Sequence, residues 1–266
     1  MFIITAGEVA ESNFTFLLLA SGAALASPLG GWLGSRGKIG TLFLSISVGM
    51  AAGVLLGTFA FEMMPSAGAA AGKIPTITGF VVGFLTVYIF DLYINHGFMA
   101  GTESDEWHKL SRLHRIHRAR GSKVALLAGS TAIEELFEGL SIGVGLAADP
   151  NLGIMIGVAI MLDNLVEGMS IAEIIRAEQG ENASRSIYAW TCVIGLALFS
   201  STTIGWVFLS DMSASMLGVL LAIGAGGMFY LTIADLLPRS AKTQYQQSAA
   251  LAVAVGFLSI FALTSL

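Results

Sequence analysis

Glu134-Glu135-Leu136-Phe137-Glu138-Gly139 and Asp163-Asn164-Leu165-Val166-Glu167-Gly168 each interrupt a long apolar run. Together they place five carboxylates and one amide where a hydrocarbon environment charges roughly 2.5 to 3.5 kcal/mol for one acidic side chain at a helix centre. Such groups persist where they face a wet cavity and hold cations, or where they hold protons. Both readings make them functional.

The chain around them is that of a polytopic membrane protein. Of its 266 residues, 55% are hydrophobic and only 12% charged, and the mean hydropathy is +0.79, outside the range of soluble domains. Five prolines and 32 glycines suit helices that approach closely through small residues. The unbroken apolar runs exclude a barrel, whose strands alternate over about ten residues. The net charge of -5 gives no reason to expect a nucleic-acid partner, because several acids are intramembrane and the bases sit in loops. A single cysteine, Cys192, excludes an intrachain disulfide and a thiolate metal site; it reads as a small packed residue. Glu8 and Glu11 precede the first apolar run without a base, so that run reads as a retained helix rather than a secretory signal.

Eight runs span about 14–34, 40–64, 75–97, 124–148, 153–176, 186–210, 213–237 and 246–265, each long enough for about 30 Å of hydrocarbon. The expected fold is all-α with eight transmembrane helices. Twelve of the thirteen bases fall in loops 1-2, 3-4, 5-6 and 7-8, leaving only Lys73 on the other side. The positive-inside rule makes those loops cytoplasmic and both termini external.

An internal repeat is visible. Gly53 precedes Glu62-Met63-Met64-Pro65 by nine residues, and Gly226 precedes Asp235-Leu236-Leu237-Pro238 by nine. Glu138-Gly139-Leu140-Ser141-Ile142 answers Glu167-Gly168-Met169-Ser170-Ile171. The paired spans run in opposite directions, so the expectation is an inverted repeat, spans 1-3 against spans 6-8, around a central antiparallel pair, spans 4 and 5. A repeat of this kind puts its binding site near the midplane.

On a helix, Glu134 and Glu138 stack one above the other with Glu135 about 100° round, and Asp163, Asn164 and Glu167 repeat the pattern. If the two helices pack at this level, Glu134, Glu135, Glu138, Asp163, Asn164 and Glu167 converge on room for one divalent ion, or two sharing carboxylates. Carboxylates so close cannot all be ionised without a cation. The alternative is that they are protonated and only tie the helices together. Ser141 and Ser170, one turn on, either extend a polar pathway or bond to their own helix backbone. Glu62 and Asp235, near opposite membrane faces, read either as acids snorkelling to the interface or, with Asp91, as members of a pathway set. Gly49, Gly53 and Gly57 form a close-packing stripe that fits either a contact within the protomer or a dimer contact. The long loop, 98–123, holds His108, His114 and His117 among six bases. It reads either as an amphipathic helix on the cytoplasmic leaflet or, with His96, as a weak metal-sensing loop.

These residues resemble the ZIP (Zrt/Irt-like) divalent metal transporters, most closely their prokaryotic branch. The resemblance runs through Ser27-Pro28-Leu29-Gly30-Gly31, Gly53 to Pro65, Glu138-Gly139-Leu140, Glu167-Gly168 and Gly226 to Pro238. It implies that Glu134 stands at the family's motif histidine, Glu135 at its asparagine and Glu138 at its glutamate, with Asp163, Asn164 and Glu167 as ligands from span 5. It also implies a homodimer, and an elevator-like movement of spans 1, 4, 5 and 6 against spans 2, 3, 7 and 8. Phe137 and Val166 replace the motif prolines, and no histidine remains in the site. An all-oxygen site shifts preference from zinc toward Mn²⁺, Fe²⁺ or another hard divalent ion, although carboxylates also bind zinc; Co²⁺ and Cd²⁺ remain in the cargo class.

The expected function is secondary transport of a divalent metal, in the bacterial cytoplasmic membrane and toward the cytoplasm, with no cofactor. A non-transporting metal sensor and a metal exporter or channel are the alternatives. An intramembrane metal-dependent hydrolase is the rival from another class. Its paired-glutamate motif needs an arginine where Gly139 stands, and histidines that spans 4 to 8 lack, so no enzyme activity is expected.

Overall fold

The computed structural model describes residues 6–36, 40–93, 123–180, 183–209, 211–241 and 245–264. Among the described residues every regular element is helical. In chain order α1 is Ala6–Arg36, α2 Thr41–Ala71, α3 Lys73–Tyr93, α4 Lys123–Ala148, α5 Pro150–Gln179, α6 Ala183–Leu209, α7 Ala214–Ala241 and α8 Gln246–Thr264. Seven of these, all but α4, are long and apolar enough to cross a membrane. α4 has 26 residues, ~39 Å of helix, but Glu134, Glu135 and Glu138 interrupt its apolar stretch. His96, His108, His114 and His117 lie outside the described residues.

Local chemistry sets the helix ends. The Asp149 carboxylate accepts from the N–H groups of Asn151 (2.8 Å) and Leu152 (3.1 Å), and Pro150 follows at the first helical position, so α5 starts with its orphan donors satisfied. Gly72 and Gly180 take positive φ (84° and 62°) where α2 and α5 stop, a region that favours glycine.

α1 and α2 outrun their apolar stretches. α1 begins at Ala6 rather than near residue 14, and α2 continues through Pro65 to Ala71. A proline removes one backbone donor and its ring crowds the carbonyl four residues back. α2 absorbs this with a π-helical turn, Phe59–Met63, closed by the Met64 N–H on the Phe59 carbonyl. α7 does the same before Pro238, with Thr232–Leu236 closed by the Leu237 N–H on the Thr232 carbonyl. Single π turns of this kind concentrate at functional sites.

Packing divides the helices into two groups. α1 packs on α5 and α6, and α4 on α6 and α5; separately, α2 packs on α8 and α7, and α3 on α7. The groups meet mainly where α2 crosses α5 and α4 crosses α7. Close approach is built in by glycine. A Cβ at Gly53 would strike the Val253 carbonyl of α8, and one at Gly226 the Phe80 carbonyl of α3; Gly256 stands likewise against Met50, and Gly83 against Ile223. The numbering of these contacts is regular, since 226 − 53, 253 − 80, 256 − 83 and 223 − 50 are all 173. The two π turns are offset by the same 232 − 59 = 173.

The core between the groups is apolar, with Leu55, Met63, Ile142, Ile160, Leu221 and Met228 sealed from the exterior. Large apolar side chains such as Phe43, Ile74, Leu196, Phe208 and Leu251 point outward. That inversion of soluble-protein logic suits a surface solvated by lipid.

Candidate metal site

α4, α5 and α7 meet around a cavity of about 10 Å3, lined by Glu134, Glu138, Asp163, Glu167 and Asp235, with Thr232, Leu55 and Met228 also in its wall. That is space on the order of one water or one bare ion. The glycine after each acidic motif explains how the carboxylates come to share it. A Cβ at Gly139 would meet the Leu198 carbonyl of α6 at 2.5 Å, and one at Gly168 would strike the Ser27 carbonyl of α1. Each glycine therefore seats its helix tightly against a neighbour, while the glutamate before it, about 100° round the helix, is turned toward the cavity.

The six residues singled out in the sequence divide into two sets. Glu134, Glu138, Asp163 and Glu167 line the cavity. Glu135 and Asn164 do not; they are fully buried and face each other, with Asn164 Nδ2 donating to Glu135 Oε2 at 3.0 Å. Ser201 of α6 donates to the Glu135 backbone carbonyl at 3.0 Å, fixing that turn of α4 from behind. Several buried acceptors have no hydrogen-bond partner among the described residues: Glu135 Oε1, Glu138 Oε2, Asp163 Oδ1 and Asn164 Oδ1. Buried oxygens in this condition call for a cation or a proton. Among the described residues no three acidic, imidazole or thiol groups are already drawn to one point as a closed coordination shell; the carboxylates stand around the cavity wall.

Ser141 and Ser170 bond to their own helices, to the Phe137 carbonyl (2.9 Å) and the Val166 carbonyl (3.0 Å). Asp235 lines the cavity, whereas Glu62, at the corresponding place in α2, is not among its lining residues. Asp91 is buried away from the cavity, where it accepts from the Tyr230 hydroxyl at 2.7 Å.

Two participants escape a reading of the sequence. Thr131 of α4 donates to Glu167 Oε1 of α5 at 2.9 Å; its signal is its place one turn before Glu134 and Glu135. Arg239 pairs with Asp235 one turn away; its signal is the i, i+4 spacing, hidden because Arg239 also reads as a loop base.

A family model described as "ZIP Zinc transporter" matches residues 12–264. The chain belongs to the ZIP family. Similar proteins include the zinc transporter ZupT of Escherichia coli O7:K1 and that of Shigella flexneri, each 27% identical over 226 residues, covering 84% of this chain and 85% of theirs. As a ZIP-family member the chain is an integral membrane transporter of divalent metal ions, not an enzyme. The intramembrane-hydrolase alternative is thereby set aside.

Proposed function

We propose that the chain carries a divalent transition metal through the cavity between α4, α5 and α7, with Glu134, Glu138, Asp163 and Glu167 as the principal ligands. The observation that carries this is the convergence of carboxylates from three helices on one ion-sized space, with buried oxygens that have no donor among the described residues. Glu135 and Asn164 form the link that holds the two acidic helices in register. In this reading α4 is the eighth span, its acids facing inward, and both termini are external in a bacterial cytoplasmic membrane.

An inverted repeat is supported by the offset of 173 shared by the glycine contacts and the π turns. An elevator-like movement toward the cytoplasm is supported by the two packing groups, α1, α4, α5 and α6 against α2, α3, α7 and α8. A homodimer is part of the same proposal. The similar proteins are named for zinc, and carboxylates accept it, but an all-oxygen set also suits Mn²⁺ and Fe²⁺. We therefore expect narrower discrimination between zinc and manganese than a histidine-containing site gives. Uptake of Zn²⁺ and Mn²⁺ into liposomes, for the unmodified chain and for Glu138→Ala and Glu167→Ala, tests the reading. Binding without flux in the unmodified chain would identify a sensor instead.

A further inference from the structure

We infer that Arg239 is a tethered cation: it neutralises Asp235 on the α7 wall of the carboxylate cavity and competes with the metal for the cavity's negative charge. The inference rests on the cavity being the metal path.

Arg239 lies one turn beyond Asp235, and the two form an ion pair. Asp235 itself lines the cavity with Glu134, Glu138, Asp163 and Glu167. Because Asp235 shares that wall with Glu134, Asp163 and Glu167, the guanidinium paired with it stands on the α7 side of the same cluster of carboxylates. Its location is held by the backbone, because the Ser45 hydroxyl of α2 donates to the Ser240 carbonyl at 2.8 Å and the Ser240 hydroxyl caps the Leu237 carbonyl at 2.8 Å. The Arg239 side chain remains 27% exposed and that of Asp235 18%, so a partly solvated pair of this spacing contributes little to stability. Its consequence is electrostatic.

The internal offset sharpens the point. Subtracting 173 from 235 and 239 gives Glu62 and Ser66, so the corresponding acid in α2 has a serine where α7 has the arginine. The acid that lines the cavity from α7 therefore has its own cation one turn on, whereas the corresponding acid in α2, outside the cavity wall, has none at that position. A guanidinium stays charged at every physiological pH, so the asymmetry is permanent. A fixed positive charge beside the ligands opposes retention of a divalent ion.

Equilibrium binding of Mn²⁺ and Zn²⁺ to the purified full chain, by titration calorimetry, tests this with Arg239→Gln, Arg239→Met and Arg239→Lys. The neutral variants are expected to bind both ions about tenfold more tightly, and Arg239→Lys to stay near the unmodified chain. A merely structural arginine predicts the opposite sign, weaker binding in the neutral variants. If Arg239→Gln does not fold, Arg239→Met, with its apolar stem, carries the test. Unchanged or weaker binding in the folded neutral variants overturns the inference while leaving the metal path intact. Absence of binding that depends on Glu138 and Glu167 in the unmodified chain overturns both.

Discussion

Replacing Thr131 by valine keeps the shape of the side chain and removes one hydroxyl. That hydroxyl donates to Glu167 Oε1 at 2.9 Å across the α4–α5 interface, so the substitution frees a carboxylate that lines the cavity from the donor that aims it. A hydrogen bond to a charged group is worth roughly 1.5 to 3 kcal/mol. Part of that is lost equally with and without metal, because Glu167 is destabilised in both states. What remains is the orienting effect, for which removal of a ligand's supporting partner typically costs 10–100-fold in metal affinity. Thr131 is a neutral donor, which places the expected loss at the lower end, about tenfold or ~1.4 kcal/mol. Titration calorimetry with Mn²⁺ and Zn²⁺ on purified Thr131→Val and Thr131→Ser reads this directly, with thermal unfolding as a check on folding. Thr131→Ser keeps a hydroxyl and should bind like the unmodified chain. Binding by Thr131→Val within about twofold of the unmodified chain would refute the positioning role of Thr131.

Three further substitutions probe the scaffold. Gly226→Ala drives a methyl group into the Phe80 backbone carbonyl of α3, an overpacking expected to cost about 1–3 kcal/mol, whereas Gly68→Ala, with open space around it, should leave the unfolding midpoint unchanged or slightly raised; equal midpoints for the two variants would contradict the packing. Tyr230→Phe removes the hydroxyl that donates to buried Asp91 at 2.7 Å, and should lower stability by roughly 1–3 kcal/mol in thermal unfolding while leaving Mn²⁺ binding unchanged; weaker binding with no loss of stability would place Asp91 in the metal path.

Much of the scaffold is written in the apolar runs, because a membrane helix must satisfy its backbone internally and face lipid with apolar side chains. Where the runs mislead, the cause is local. The Glu62–Pro65 segment looks like a helix end, since proline usually stops a helix, yet the π turn at Phe59–Met63 carries α2 on to Ala71. α1 continues ahead of residue 14 because a helix closes its own backbone hydrogen bonds whether or not its side chains are apolar.

The cavity shows the same division. Spacing places Glu134 and Glu138 on one face of α4, and Asp163 and Glu167 on one face of α5, and those four line the wall. Spacing does not settle how far each helix is rotated about its axis, and adjacent residues differ by about 100°. Glu135 and Asn164 are turned into the α4–α5 contact instead, where they bond to each other. Thr131 and Arg239 act across an interface and across a helix turn, relations that appear only when the helices are brought together.

The central claim, that metal crosses the membrane through the carboxylate cavity, is tested most directly by Mn²⁺ and Zn²⁺ flux into proteoliposomes for the unmodified chain, Glu138→Ala and Glu167→Ala. Saturable, protein-dependent flux that falls by about tenfold or more in both variants is the expected result. Undiminished flux in both folded variants would contradict it.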